Sequence, residues 1–207
     1  MNEKPSTLSG PGRWKFILPL ALVLGLALAG LIPRRTVSHV VNPAPVSALA
    51  EINRTNLFRL QDHWCQNGST NLFTGIMVGA YPGGATQFRS AVSNGLLNGL
   101  SEGWYTNGGL QVQEYYRSNL SDGLRTLWYP NGHKLSEVSV GMGRMNGTYR
   151  RWYEDGSLAE EIPMSDGRID GNGRAFYKSG FVKAEVRYQA GKVVRQDNWK
   201  DGERKGI

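Results

Sequence analysis

Cysteine is almost missing. One, Cys65, in 207 residues allows no intramolecular disulfide, so the fold must hold by packing alone, with Cys65 itself read as a small buried apolar residue. Histidine is nearly as scarce: His39, His63 and His133 stand far apart with no Cys or His partner at metal-ligand spacing, and they read as surface residues rather than a metal centre. A phosphate-cradling loop is missing too. "GMGRMNG" (Gly141–Gly147) comes nearest, but its third glycine falls one place too late for G-x-G-x-x-G, and the segment joins strand to strand. On these grounds the sequence points away from an enzyme and from any cofactor.

A surplus of one charge is also lacking over most of the chain. The formal +7 divides unevenly: residues 1–54 carry six basic and two acidic groups, whereas residues 55–207 carry 18 and 15. A near-balanced remainder without a groove-reading signature argues against nucleic acid as a partner. The basic excess instead brackets a long apolar run, Phe16–Ile32, with Arg13 and Lys15 before it and Arg34 and Arg35 after it. As a helix its 17 residues reach about 26 Å, at the short edge of what spans a hydrocarbon core of about 30 Å. It is read as one uncleaved transmembrane helix over 14–32, following a tail of residues 1–13, with Trp14 at the interface. The alternative is a secretory signal cut after Ala27-Leu28-Ala29, leaving Gly30 first. Either reading puts the rest of the chain at or beyond a membrane, on the extracytoplasmic side. Residues 33–54, with three prolines and no sustained periodicity, read as a tether.

What the sequence has in abundance is glycine and aromatics, placed with a fixed step. Tyr81, Tyr105, Tyr129, Tyr153 and Tyr177 are 24 residues apart, and so are Gly84, Gly108, Gly132, Gly156 and Gly180. A second glycine row, Gly75, Gly99, Gly123, Gly147 and Gly171, marks five repeat starts, and the residue before each Tyr reads Ala80, Trp104, Trp128, Trp152 and Phe176. Fixed-period similarity of this kind denotes a repeat architecture. Within a unit such as "GTYRRWYEDGSLAEEIPM", an aromatic-rich strand leads into Asp155-Gly156, read as a two-residue hairpin turn, and an alternating strand returns. Asn98-Gly99, Asp122-Gly123, Asn146-Gly147 and Asp170-Gly171 are read as reversing the chain again. The expected fold is all-β: repeated antiparallel hairpins forming an elongated meander over residues 55–207, with degenerate caps at both ends. A lone hairpin is marginal in water, so each unit needs its neighbour.

Units with aromatic-Tyr-x-x-Gly, a Glu-bearing return strand and a closing Asn/Asp-Gly, opened by "LFTG" at Leu72–Gly75, resemble the MORN-repeat variant family common in bacteria. The resemblance implies a β-hairpin repeat with a binding role: a scaffolding or assembly module, or an inhibitor of a toxic effector, since such chains are often labelled antitoxins.

The candidate interaction surface is the aromatic rows, Trp104, Tyr105, Trp128, Tyr129, Trp152 and Tyr153, because neighbours in a strand face opposite ways and a one-layer sheet leaves a row partly open. The alternative binding positions are the variable ones after each turn: Gly109, His133, Ser157 and Phe181. The expected partner is an unidentified protein. Glu137, Glu161 and Glu185 recur with the period and are assigned to the repeat rather than to acid–base work. The four N-x-Ser/Thr sequons, at Asn53, Asn67, Asn119 and Asn146, carry sugar only in a glycosylating pathway.

Overall fold

The computed structural model describes residues 49–204. The segment Phe16–Ile32, the tail before it and most of the tether lie outside the described residues; among those described, no helix is long and apolar enough to cross a membrane. The strands are β1 (Glu51–Asn53), β2 (Leu57–Leu60), β3 (His63–Gln66), β4 (Gly75–Ala80), β5 (Thr86–Ser93), β6 (Leu96–Trp104), β7 (Leu110–Arg117), β8 (Leu120–Ser121), β9 (Gly123–Trp128), β10 (Lys134–Gly141), β11 (Arg144–Trp152), β12 (Leu158–Ser165), β13 (Arg168–Ile169), β14 (Gly171–Phe176), β15 (Val182–Gln189) and β16 (Lys192–Asn198).

From β4 onward the main strands pair in chain order as one antiparallel meander that ends at β16. Short β8 and β13 extend the same sheet beside β7 and β12. At the start, β1 lies parallel to β4, so the sheet begins inside the stretch that reads as tether. A separate hairpin, β2–β3, covers the first repeat through Leu57 and Trp64 packed with Phe73, Met77 and Val92. Cys65 is wholly buried there.

Two kinds of turn alternate, and both differ from the sequence reading. The turn at Asp155-Gly156 is a three-residue loop: the Gly156 N–H donates to the Tyr153 carbonyl at 2.9 Å and the Tyr153 N–H to the Ser157 carbonyl at 2.8 Å. Only the glycine has positive φ, +87°. Asp155 keeps φ below zero and its carboxylate accepts the Ser157 N–H, which holds a type I turn followed by a left-handed residue.

The real two-residue turns lie elsewhere, where consecutive residues both have positive φ: Asn94-Gly95, Ser118-Asn119, Met142-Gly143, Asp166-Gly167 and Ala190-Gly191. Each connects β-strands by the primed geometry that matches strand twist. Asn98-Gly99 and its counterparts therefore do not reverse the chain. They sit in or beside the following strands, where the register slips, as between Ser90 and Val92 on the partner of Asn98-Gly99. Their polar side chains have a different task. Asp122 accepts the Met142 N–H at 3.3 Å and Asn146 accepts the Asp166 N–H at 2.9 Å, so each caps the next repeat's turn.

Alternation sets the core. In β15, Val182, Ala184, Val186 and Tyr188 are buried while the residues between them are partly or fully exposed. In β10 the same alternation buries Ser136, Val138 and Val140. Val138 and Val140 pack with Tyr149, Ile162 and Met164, a cluster shared by two repeats.

Candidate functional site

The period-24 tyrosines are stitches between repeats. Each hydroxyl donates to a main-chain carbonyl one unit on: Tyr81 to Trp104 at 2.8 Å, Tyr105 to Trp128 at 2.8 Å, Tyr129 to Trp152 at 2.9 Å, Tyr153 to Phe176 at 2.8 Å, and Tyr177 to Trp199 at 3.0 Å. The acceptor is backbone, so the bond places no demand on the side chain before Tyr, and Ala80 and Phe176 share that row with three tryptophans. At the residue after Trp199 stands Lys200, which has no hydroxyl to continue the ladder. The opposite ends of the hairpins are stitched by backbone: Gly143 N–H to Ser121, Gly167 to Met145 and Gly191 to Ile169.

The two aromatic rows lie on opposite faces. Lys134 stands 5.6 Å over the Trp152 ring and pairs with Glu137 at 2.6 Å, which puts the tryptophans with the recurrent glutamates. On the other face Arg151 lies 5.9 Å from the Tyr153 ring and holds Glu160 through two hydrogen bonds, 3.1 and 2.7 Å. That pairing keeps the Arg151 guanidinium charged, raising its pKa further. Burial, helped by the neighbouring Glu114 carboxylate, pushes the Tyr116 hydroxyl far above its ordinary range, and it donates to Glu114 at 3.0 Å. Burial also raises Tyr149. All six candidate residues, Trp104, Tyr105, Trp128, Tyr129, Trp152 and Tyr153, are half-buried.

Down the centre of the tryptophan face runs an unbroken cross-strand row: Glu102, Gln113, Thr126, Glu137, Arg150, Glu161, Arg174, Glu185 and Asp197, each directly opposite the next. Glu161 takes Arg150 at 3.1 Å and Arg174 at 2.8 Å, one on each flank. Glu185 accepts Arg204 at 3.1 Å. Glu161 thus neutralises two arginines of the row, Glu137 pairs with Lys134, and Glu185, directly opposite Asp197, pairs with Arg204.

Beside that row, two positions along each strand, the side chains drift from repeat to repeat: Leu100 and Leu124, one period apart, give way to Thr148 and Asn172, and Tyr115 to Ser139, Pro163 and Arg187. Leu100 stands opposite Tyr115, and both Tyr115 and Leu124 are exposed. Farther along Ser139 faces Asn146 and Thr148 faces Pro163, and then come Asn172, Arg187 and Arg195, each directly opposite the next. At that end Asn172, Arg174, Glu185, Arg187, Asp197 and Trp199 line an open groove of about 680 Å³. These positions leave no periodic trace in the sequence. Their signal was the converse, charge and bulk that break the period on one strand face.

The variable positions after the turns are tied to the hairpin ends. The His133 carbonyl accepts the Tyr129 N–H at 2.8 Å, and its exposed ring nitrogen Nδ1 lies 2.8 Å from the Glu154 carbonyl. The carbonyls of Gly109, Ser157 and Phe181 accept the matching Tyr N–H groups. Among the described residues no group of three or more His, Cys, Asp or Glu side chains could hold a metal ion. Asn119, in one sequon, is engaged at both amide atoms, by the Leu97 N–H at 2.7 Å and the Asp62 carbonyl at 3.0 Å.

Comparison with protein families finds the MORN repeat variant at residues 97–118 and again at 145–166. The first match spans the β6–β7 hairpin and the second the β11–β12 hairpin, so the family unit is one hairpin measured from two-residue turn to two-residue turn. A search of curated proteins finds no match to the chain.

Proposed function

We propose that the protein is a non-catalytic β-repeat module, held at a membrane by Phe16–Ile32, that binds a protein partner on the tryptophan face of its sheet. One observation supports this above the rest. The residues that define the repeat are consumed internally, as stitches, turns and ion pairs, whereas the period-breaking positions gather on one open face and change from apolar to cationic along it. Selection for folding alone accounts for the first set and leaves the second without a task. Exposed patterned faces of this kind are the usual mark of a contact surface.

The test is isolation of the tagged full-length protein from carbonate-washed membranes, with intact-mass analysis of its N-terminus and chemical cross-linking before solubilisation. The reading expects the protein in the washed membrane with its N-terminal peptide retained, and a stoichiometric cross-linked polypeptide. Recovery as a soluble chain beginning at Gly30 rejects the tether, and recovery of an uncross-linked monomer rejects the protein partner.

A further inference from the structure

We infer that the period-breaking strip on the tryptophan face receives a polypeptide segment that is apolar at one end and acidic at the other. This rests on the reading of the protein as a partner-binding module. The first ground is a cost the fold accepts without a structural return: Arg187 and Arg195 stand directly opposite on adjacent strands, and like charges so placed destabilise a sheet. Arg195 has Asp197 at 2.9 Å, while no carboxylate pairs with Arg187 among the described residues. In the preceding repeat the position of Arg187 is Pro163, so the hairpin does not require a cation there. An incoming carboxylate between the two guanidiniums removes the repulsion and gains charge-assisted hydrogen bonds, with Asn172 beside Arg187 as a further donor.

The second ground is the other end of the same strip. Tyr115 and Leu124 are 43% and 47% exposed, and Leu100 is opposite Tyr115. Between the two ends Ser139 stands opposite Asn146 and Thr148 opposite Pro163, with no side chain longer than an asparagine to block a chain. From β7 to β15 is six strand steps, about 29 Å at ~4.8 Å each, which an extended segment covers in roughly nine residues. A uniformly anionic lipid surface fits less well, because only the Arg187–Arg195 end of the strip is cationic, while its other end is Leu100, Tyr115 and Leu124. A polypeptide can set its carboxylates against Arg187 and Arg195 alone.

The test pans a displayed library of random 16-residue peptides on the detergent-solubilised full-length protein, then measures the best synthetic binder by fluorescence anisotropy. Expected binders carry aliphatic or aromatic residues separated from a carboxylate pair by several residues. Their affinity falls tenfold or more with Arg187→Gln/Arg195→Gln, and similarly with Tyr115→Ser/Leu124→Ser, both with an unchanged β circular-dichroism spectrum. Binders without carboxylates, equal affinity for the variants, or no selected binder overturns the inference. So does binding of phosphatidylglycerol-containing vesicles that alone depends on Arg187 and Arg195. If the variants still cross-link their cellular polypeptide, this strip is the wrong surface while the module reading stands; loss of the polypeptide from the unaltered protein sinks both.

Discussion

The Tyr129 hydroxyl donates to the Trp152 carbonyl oxygen across 2.9 Å, and this bond ties the third repeat to the fourth. Antiparallel pairing joins strands through the middle of the sheet, but the three-residue loops stand beyond it with carbonyls that would otherwise meet only water. The phenol supplies the donor at that end, and the two-residue turns supply backbone N–H groups at the other. A repeat fastened at both ends transmits order to the next, which is why the tyrosine tolerates no drift in spacing while its neighbour ranges over Ala, Trp and Phe.

Replacing Tyr129 by Phe removes the bond and keeps the ring. The expected loss is about 1 kcal/mol, the net worth of an intramolecular hydrogen bond. Tyr129→Ala, which also removes the half-buried ring, should cost about 3 kcal/mol. Urea unfolding of the two variants beside the parent checks this, and equal losses would mean that the ring rather than the hydroxyl does the stitching.

Gly156 has φ +87° with open space around it, the nearest atom to an added Cβ being His133 Nδ1 at 3.6 Å. The constraint is therefore conformational and not steric crowding. Gly156→Val should cost more than about 1 kcal/mol, and Gly156→Asn distinctly less, because Asn tolerates the left-handed region and a β-branched residue does not. A thermal melt that ranks Asn with Val would refute the conformational account.

Met142 offers the reverse experiment. It occupies the first position of a two-residue turn at φ +48° and is exposed, with no packing to lose. Met142→Asn creates the Asn-Gly pair that this turn geometry favours, and a gain of about 0.5–1 kcal/mol is expected. The same change at a residue of negative φ should give nothing, which makes a matched substitution at Ser139 the control in a melting series.

The period, the all-β class and the meander order were legible in the sequence because they depend on residues that recur. The turns were legible only in part. Asn-Gly and Asp-Gly occur at several distinct places in these repeats, and the dipeptide alone does not say which pair reverses the chain: Asn146-Gly147 caps the turn of the next repeat, whereas Met142-Gly143, which looks unpromising, is the turn. The row of true turns is broken at Ser118-Asn119, where Asn119 replaces glycine because its amide holds Leu97 and Asp62. That exchange hid the row from a search for aligned glycines. The tyrosine stitches were invisible for another reason: their acceptors are main-chain carbonyls, which leave no mark in composition. The strip from Leu100 to Arg195 becomes visible only once strand register shows which non-repeating residues stand side by side.

Burial raises the pKa of Tyr105, Tyr116, Tyr149, Tyr153 and Tyr188 above the ordinary 10.0. A group whose pKa is higher folded than unfolded stabilises fully below the unfolded value and loses that contribution as pH rises through the folded one. Stability should thus hold to about pH 10 and fall above it, with tyrosinate absorbance appearing together with unfolding. Tyr116→Phe should move the alkaline limit upward. Tyrosinate formation well below the unfolding transition would show the rings to be accessible and the account wrong. At the acid end, Asp155 is held below the usual carboxylate range by the Ser157 hydroxyl and N–H, so its turn should weaken only as pH falls through that lowered value.

Trp128 and Tyr153 separate scaffold from contact. Trp128 lies on the face that carries the exposed strip, and its carbonyl accepts Tyr105 whatever its side chain, so Trp128→Ala leaves the stitch intact. Ala80 in the first repeat already lives without the ring. Tyr153→Ala, in contrast, breaks the bond to Phe176 and removes a ring from the opposite, better-packed face, where Arg151 leans on it. The tyrosine change is therefore expected to cost about 3 kcal/mol and the tryptophan change less, while only the tryptophan change weakens capture of a cross-linked polypeptide beyond its effect on folding, by about 2 kcal/mol. Thermal unfolding and capture measured on both variants decide the matter: if Trp128→Ala destabilises as much as Tyr153→Ala and capture follows stability in both, the tryptophan row is scaffold and contact falls to the period-breaking side chains alone.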